Sequence, residues 1–259
     1  MYAVHPYNRV SRRPRGTHSF MRAPMTIHTH DTSIAEQARE LTATMTSQAP
    51  AGALSPFTAE QAALRAEGIP AGLARPGFVV PDLPLVEVGG QATSLYAITG
   101  SRTTVLVFYR GVWGPYCNLA LRTYQERLLP QLAGRGVELL GISPQTSRGS
   151  LAMRQKNELT FPVLSDVGNR LAACLGILTR PTPDALASLA GLGIDVAAAN
   201  ADGTVTVPMP TVAIVDGAHV LRWIDVHPDY TSRTEVPDIM AGLDASASAG
   251  VQPGPADLS

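Results

Sequence analysis

The sequence predicts an α/β fold, a three-layer sandwich with a central mixed β-sheet and helices on both faces. Three observations predict it. Two continuous β-branched runs, TTVLVFY (103–109) and VELLGIS (137–143), read as strands buried on both faces. A segment with apolar residues at helical spacing follows each. Late in the chain, PTVAIVDGAHVLRWIDV reads as two strands joined by a tight Asp-Gly turn, which makes the sheet mixed. An all-helical architecture fails on the β-branched runs. A dinucleotide-binding fold fails because no GxGxxG turn follows either strand.

Residues 1–30 carry Arg9, Arg12, Arg13, Arg15 and Arg22, four of the six histidines and no acidic residue. Arg12-Arg13 lacks the apolar stretch of about 7–15 residues that an export signal needs. This arm therefore reads as disordered, or as a start placed too early, with Met21 and Met25 as alternatives. Residues 31–76 form a helical lead-in. DTSIAEQARELTATM opens on a cap at Asp31 or Ser33 and is broken at Pro50 and Gly52; SPFTAEQAALRAEG follows, stopped by Gly68.

The main domain spans 77–243 and opens on a hairpin, LPLVEVGGQATSL (83–95). The strand at 103–109 leads to a helix from about Cys117 to Leu132, with Leu121, Tyr124, Leu128 and Leu132 on one stripe. The strand at 137–143 leads to the helix SRGSLAMRQKNEL. FPVLSD and VGNRLAACLGI then give a short strand and a helix capped near Ser165 or Asp166. The hairpin follows after a longer stretch, and EVPDIMAGL makes a closing helix. Residues 244–259 read as a disordered tail. The order β-α-β-α, hairpin, α is that of the thioredoxin fold.

The 259 residues are 45% hydrophobic and 16% charged, with a net charge of −1. Balanced charge excludes nucleic-acid binding driven by overall charge. No apolar run approaches the ~18 residues of a membrane span. Two cysteines, Cys117 and Cys174, exclude a disulfide scaffold and a cysteine-rich zinc site. No metal or other cofactor is expected, and Ser-His-Asp and HExxH patterns are absent.

The chemistry concentrates in VFYRGVWGPYCNLALR (107–122), which places Cys117 just past a buried strand at the start of an amphipathic helix, behind Pro115. A thiol there faces unpaired N–H groups and the positive end of the helix dipole, which favour the thiolate that attacks peroxides and disulfides. The expectation is a depressed pKa at Cys117 and faster alkylation than at Cys174. Arg110, at the end of the strand, is placed to polarise a peroxide oxygen. Arg122 lies about 140° round the helix from Cys117. Either arginine has a plain alternative as a structural ion pair. Trp113 and Tyr116 frame the site and exclude water, unless Trp113 is simply core. Leu171, Cys174 and Leu175 share i, i+3, i+4 spacing, so Cys174 is expected in a core stripe, with a resolving role as the alternative. His219 and His227 belong to no catalytic pattern.

FYRGVWGPYCNLALR resembles the FYRGxWCPYCNxxLR signature of the alkyl hydroperoxide reductase C/thiol-specific antioxidant-type peroxiredoxin-like proteins. The similarity continues through ELLGISPQT, LTFPVLSDVGNRLAACLGI, VPMPTVAIVD and VHPDYTSRTEVPDI. This resemblance implies a peroxiredoxin-type thioredoxin fold and a thiol peroxidase or close thiol oxidoreductase. Gly114 stands where the family has its leading cysteine, which closes off exchange by a local C-x-x-C pair. Cys117 aligns with the peroxidatic cysteine of the P-x-x-x-T-x-x-C pattern, whose Pro and Thr positions are here Arg110 and Gly114. The resemblance also implies an active-site arginine at the slot filled by Pro210. Met209-Pro210-Thr211 instead resembles the cis-proline turn of thioredoxins, which faces the redox cysteine.

The expected function is a cytoplasmic, cofactor-free, thiol-dependent peroxidase. Cys117 thiolate attacks hydrogen peroxide or an alkyl hydroperoxide, Arg110 and the helix-start N–H groups stabilise the developing alkoxide, and thioredoxin or a low-molecular-weight thiol reduces the sulfenic acid. Neither nucleic acid nor membrane is an expected partner; a homodimer is a candidate assembly. Two alternatives stay open: a thiol-disulfide oxidoreductase working through mixed disulfides, and a non-catalytic sensor or binding protein on a degenerate thioredoxin fold.

Overall fold

In the computed structural model, which describes residues 32–249, the two runs read as buried strands lie side by side at the centre of the sheet. The elements are α1 (Ile34–Gln48), α2 (Ser55–Glu67), β1 (Pro84–Glu87), β2 (Ala92–Ser94), α3 (Leu95–Thr99) and β3 (Thr104–Phe108). A long helix follows as α4 (Pro115–Thr123), a π-helical turn (Tyr124–Leu128) and α5 (Leu129–Ala133). Then come β4 (Glu138–Ser143), α6 (Ser147–Lys156), β5 (Val163–Ser165), α7 (Arg170–Leu175), β6 (Leu178–Thr179), α8 (Pro183–Gly191) and α9 (Val196–Ala199). The chain closes with β7 (Val207–Pro208), β8 (Thr211–Val215), β9 (Leu221–Val226) and α10 (Val236–Ala249). The expectations for residues 1–30 lie outside the described residues. The closing helix runs past the expected boundary at 243, so residues 244–249 are helical rather than tail.

The seven-stranded sheet has the order β2-β1-β5-β4-β3-β8-β9. β3, β4 and β5 are parallel; β8 and β9 add on antiparallel beside β3, and β1 pairs antiparallel with β5. Side chains alternate along β3: Val105 and Val107 enter the core beneath the long helix, α6 and α10, whereas Leu106 and Phe108 enter the core beneath α3 and α7. Leu121, Tyr124, Leu128 and Leu132 all have zero exposure, so the apolar stripe holds through the π turn. The fold is the thioredoxin-like sandwich the sequence predicts. Among the described residues no helix is long and apolar enough to cross a membrane.

Two details depart from expectation. Cys174 is exposed, while Leu171, Ala172 and Leu175 are buried. These three span an arc of about 100° on a helical wheel, and Cys174 falls about 60° outside it beyond Leu171. The apparent stripe was thus one residue off, because Ala172 rather than Cys174 faces the sheet. The longer stretch before the hairpin is also structured: α8, α9 and β7 build a small core from Leu189, Val196 and Val207, against which Phe57 of α2 packs.

Candidate active site

Pro115 at the first helical position and Gly114 as N-cap start α4 without a side-chain cap. Asn118 instead ties the helix to the turn that precedes it. Its amide donates to the carbonyls of Val112 and Gly114, both at 2.7 Å, and its oxygen accepts from Asn157 at 2.9 Å. Gln145 accepts from Val112 N–H at 2.8 Å. The turn before Cys117 is therefore fixed from two directions by buried amides.

Cys117 is only 2% exposed, inside the core on the face of the sheet opposite α7. Its own N–H donates to Gly114 C=O at 3.1 Å, and Pro115 has none to offer. The group that reaches the sulfur is a guanidinium: Arg233 Nη2 donates to Cys117 Sγ at 3.3 Å. Arg233 lies between β9 and α10, with Nη1 donating to the carbonyls of Tyr230 and Ser232. Sequence reasoning did not single it out. Its one signal was membership of the segment VHPDYTSRTEVPDI, because no spacing ties it to Cys117, 116 residues away.

Arg110 is 5% exposed and stacked between rings, its Cζ 4.2 Å from the Tyr230 centroid and 5.4 Å from that of Trp113. Burial lowers its pKa below the ordinary guanidinium range, opposed by the Glu60 carboxylate and assisted by Arg233. Arg110 Nε and Trp113 Nε1 are buried without a partner. Tyr116 is buried, its hydroxyl 2.7 Å from Thr42 Oγ1 of α1. Arg122 faces Asn157, with Nη2 donating to Oδ1 at 3.4 Å, away from the sulfur. Gly111 makes room for Trp113: a Cβ there meets indole Nε1 at 2.3 Å. Gly111→Ala is expected to push the indole off Arg110 and cost about 1–3 kcal/mol, read by urea denaturation and indole fluorescence.

Pro210 and Thr211 line a small cleft together with Cys117, His227 and Arg233. The proximity matches the proposed turn, but the cis bond does not: every described peptide bond is trans. Pro210 simply precedes β8, its carbonyl accepting from His227 N–H at 2.9 Å, and a strand start accommodates a trans proline. The segment carrying Arg233 is held by Asp225, whose Oδ2 lies 2.9 Å from His227 Nε2 and accepts from Thr234 Oγ1 at 2.9 Å. The His227 bond holds the Asp225 carboxyl below its ordinary 3.8. A depressed carboxylate stabilises the fold above its unfolded value, and that support disappears as pH falls through the folded value. Asp225→Asn is therefore expected to lower the urea midpoint at neutral pH, with the difference from wild type closing below pH 3.8.

A model of the AhpC/TSA family matches residues 76–224. The chain is 28% identical over 130 residues to a chloroplastic peroxiredoxin Q of Triticum aestivum, covering 50% of this chain and 59% of that protein. The chain spans about half to three-fifths of the curated relatives it matches. Among solved structures, a peroxiredoxin 6 of Arenicola marina superposes with a TM-score of 0.53 at 17% identity, over 72% of this chain and 80% of that one. A thiol peroxidase from Chromobacterium violaceum gives 0.52 at 15% identity, over 68% and 89%. At such identities the structural likeness establishes the fold.

Proposed function

The chain belongs to the AhpC/TSA family, and from that premise we propose that it is a thiol-dependent peroxidase using Cys117 as its peroxidatic residue. The observation that carries the reading is the Arg233 guanidinium 3.3 Å from the Cys117 sulfur, at the start of α4. A guanidinium there stabilises negative charge on sulfur and on the oxygen that leaves it. In the step proposed, the sulfur lone pair of Cys117 thiolate forms an S–O bond to the terminal peroxide oxygen. The O–O bond breaks, and the departing alkoxide or hydroxide takes a proton to leave as alcohol or water. Sulfur is oxidised to the sulfenic acid and the peroxide is reduced.

Arg233 supplies the alkoxide-stabilising contact that the sequence assigned to Arg110 and the backbone. Arg110, stacked on Tyr230 and Trp113, holds the wall beside it. Cys174 is separated from Cys117 by the sheet, which favours a one-cysteine cycle closed by an external thiol, either thioredoxin or a small thiol.

Intact mass after one equivalent of hydrogen peroxide, with and without a sulfenic-acid trap, tests the reading. The expected product is a single trapped adduct on Cys117, retained in Cys174→Ser. Trapping only at Cys174, or no oxidation, overturns the assignment; a Cys117–Cys174 disulfide replaces the one-cysteine cycle. Access reverses the expected order of alkylation, because Cys174 is exposed and Cys117 buried. A bulky maleimide is expected to modify Cys174 first, while peroxide selects Cys117.

A further inference from the structure

The loop that presents Arg233 is tied on both sides to the two N-terminal helices. Glu235, two residues beyond the arginine, accepts from the first two N–H groups of α1, Ile34 at 2.9 Å and Ala35 at 2.8 Å. A carboxylate placed there satisfies two otherwise unpaired donors and complements the helix dipole. Asp229, four residues before the arginine, receives Arg65 of α2 at 2.6 Å. Tyr230 Oη donates to Phe57 C=O, also on α2, at 3.5 Å. Ile34 itself is fully buried in the core cluster that contains Cys117. Arg233 in turn is oriented by the carbonyls of its own loop, Tyr230 and Ser232, so the loop's position sets where the guanidinium points. Both the helices and the loop lie outside residues 76–224, the part matched by the family model.

We propose that α1 and α2 are a working part of the active site, with Glu235 as the positioning residue that holds Arg233 against the Cys117 sulfur. The proposal rests on the reading of Cys117 as the reacting thiol. A shift of about 1 Å at a reacting centre is enough to cost about a hundredfold in rate, and a nitrogen–sulfur contact of 3.3 Å is lost on a displacement of that size. Glu235 bonds to the N–H groups of α1 rather than to the sulfur, and its proposed route to the thiol runs through Arg233, as distinct from the packing of α1 itself against the Cys117 core.

The test is a double-mutant cycle in full-length Cys174→Ser protein. It combines Glu235→Ala, Glu235→Gln and Arg233→Ala, with far-UV circular dichroism to establish folding. Two second-order rates at Cys117 are read: oxidation by hydrogen peroxide, and modification by methyl methanethiosulfonate, a small reagent that needs no peroxidase activity. Glu235→Ala is expected to lower both by about tenfold or more, and Glu235→Gln, which keeps one acceptor, by less. In the Arg233→Ala background, Glu235→Ala should change either rate by under about twofold, because the contact it supports is gone. An unchanged rate in folded Glu235→Ala overturns the proposal, as does an equal loss in both backgrounds. If Glu235→Ala does not fold, Asp229→Ala takes its place with the same criteria. Coupling seen with the thiosulfonate but no oxidation by peroxide leaves the positioning role standing and removes the peroxidase reading. Rapid oxidation without coupling does the reverse.

Discussion

Arg233→Ala is expected to slow peroxide reduction by about a hundredfold to a thousandfold, the range seen on removing one preorganised donor from developing charge. The size follows from what else surrounds the sulfur. The Cys117 N–H is engaged by Gly114 C=O, Pro115 has no N–H, and Arg110 is stacked on Tyr230 and Trp113. Arg110 Nε is an unpaired donor, but its guanidinium is held over the Tyr230 and Trp113 rings, which leaves Arg233 Nη2, at 3.3 Å, as the side-chain donor that meets the sulfur. Stability should change far less, since the other bonds of Arg233 run to carbonyls of its own partly exposed loop. Arg233→Lys keeps the charge but loses the fork that spans sulfur and carbonyls together, so its rate should fall between alanine and wild type. Steady-state peroxide consumption and stopped-flow oxidation both report the effect. A rate within about threefold of wild type in Arg233→Ala removes this arginine from the chemistry.

The sheet and the helix carrying Cys117 were legible because their signals are local. β-branched runs such as TVLVF mark strands buried on both faces, and Leu121, Tyr124, Leu128 and Leu132 mark a single helical face. Gly68 was legible as a helix stop, and Ser33 as one of two cap candidates beside Asp31, for the same reason. The Cys117–Arg233 pair was not, because it is made by folding. The arginine arrives from a loop beyond the last strand and no periodicity connects the two. Arg110 drew attention by its nearness in sequence, but proximity along a strand end does not fix direction, and its guanidinium turns toward aromatic rings. The error at Cys174 has another origin: a six-residue helix allows two neighbouring choices of buried face, and alanine fits either. The lead-in helices were legible as helices, yet nothing in their composition told that Thr42 reaches Tyr116 or that Ile34 and Ala35 bind Glu235.

Gly114→Cys is expected to turn the site into a dithiol that closes on itself. A Cβ built at Gly114 lies 3.1 Å from Cys117 Sγ and 3.6 Å from Cys117 Cβ. Disulfides place their two Cβ atoms about 3.5–4.5 Å apart, and a sulfur–sulfur bond of about 2.04 Å puts each Cβ about 3 Å from the opposite sulfur. Both distances are already met, and the glycine's φ of −80° suits any L residue, so no backbone movement is required. The new side chain must settle against Gly111 C=O, 3.4 Å from its Cβ, an ordinary contact. Mild oxidation should therefore yield a quantitative 114–117 disulfide, seen as the loss of two hydrogens in intact mass. In the natural chain Cys117 has no second thiol beside it, since Cys174 lies across the sheet, so on the proposed reading a sulfenic acid formed there is expected to wait for an external thiol. In the variant that sulfenic acid should be captured too quickly to trap. The variant should also gain reduction of insulin disulfides, because one thiol can attack a partner and the other release it. Full trapping of Cys117 sulfenic acid in Gly114→Cys, with no disulfide formed, contradicts the geometry at the start of α4 and the placement of Cys117 with it.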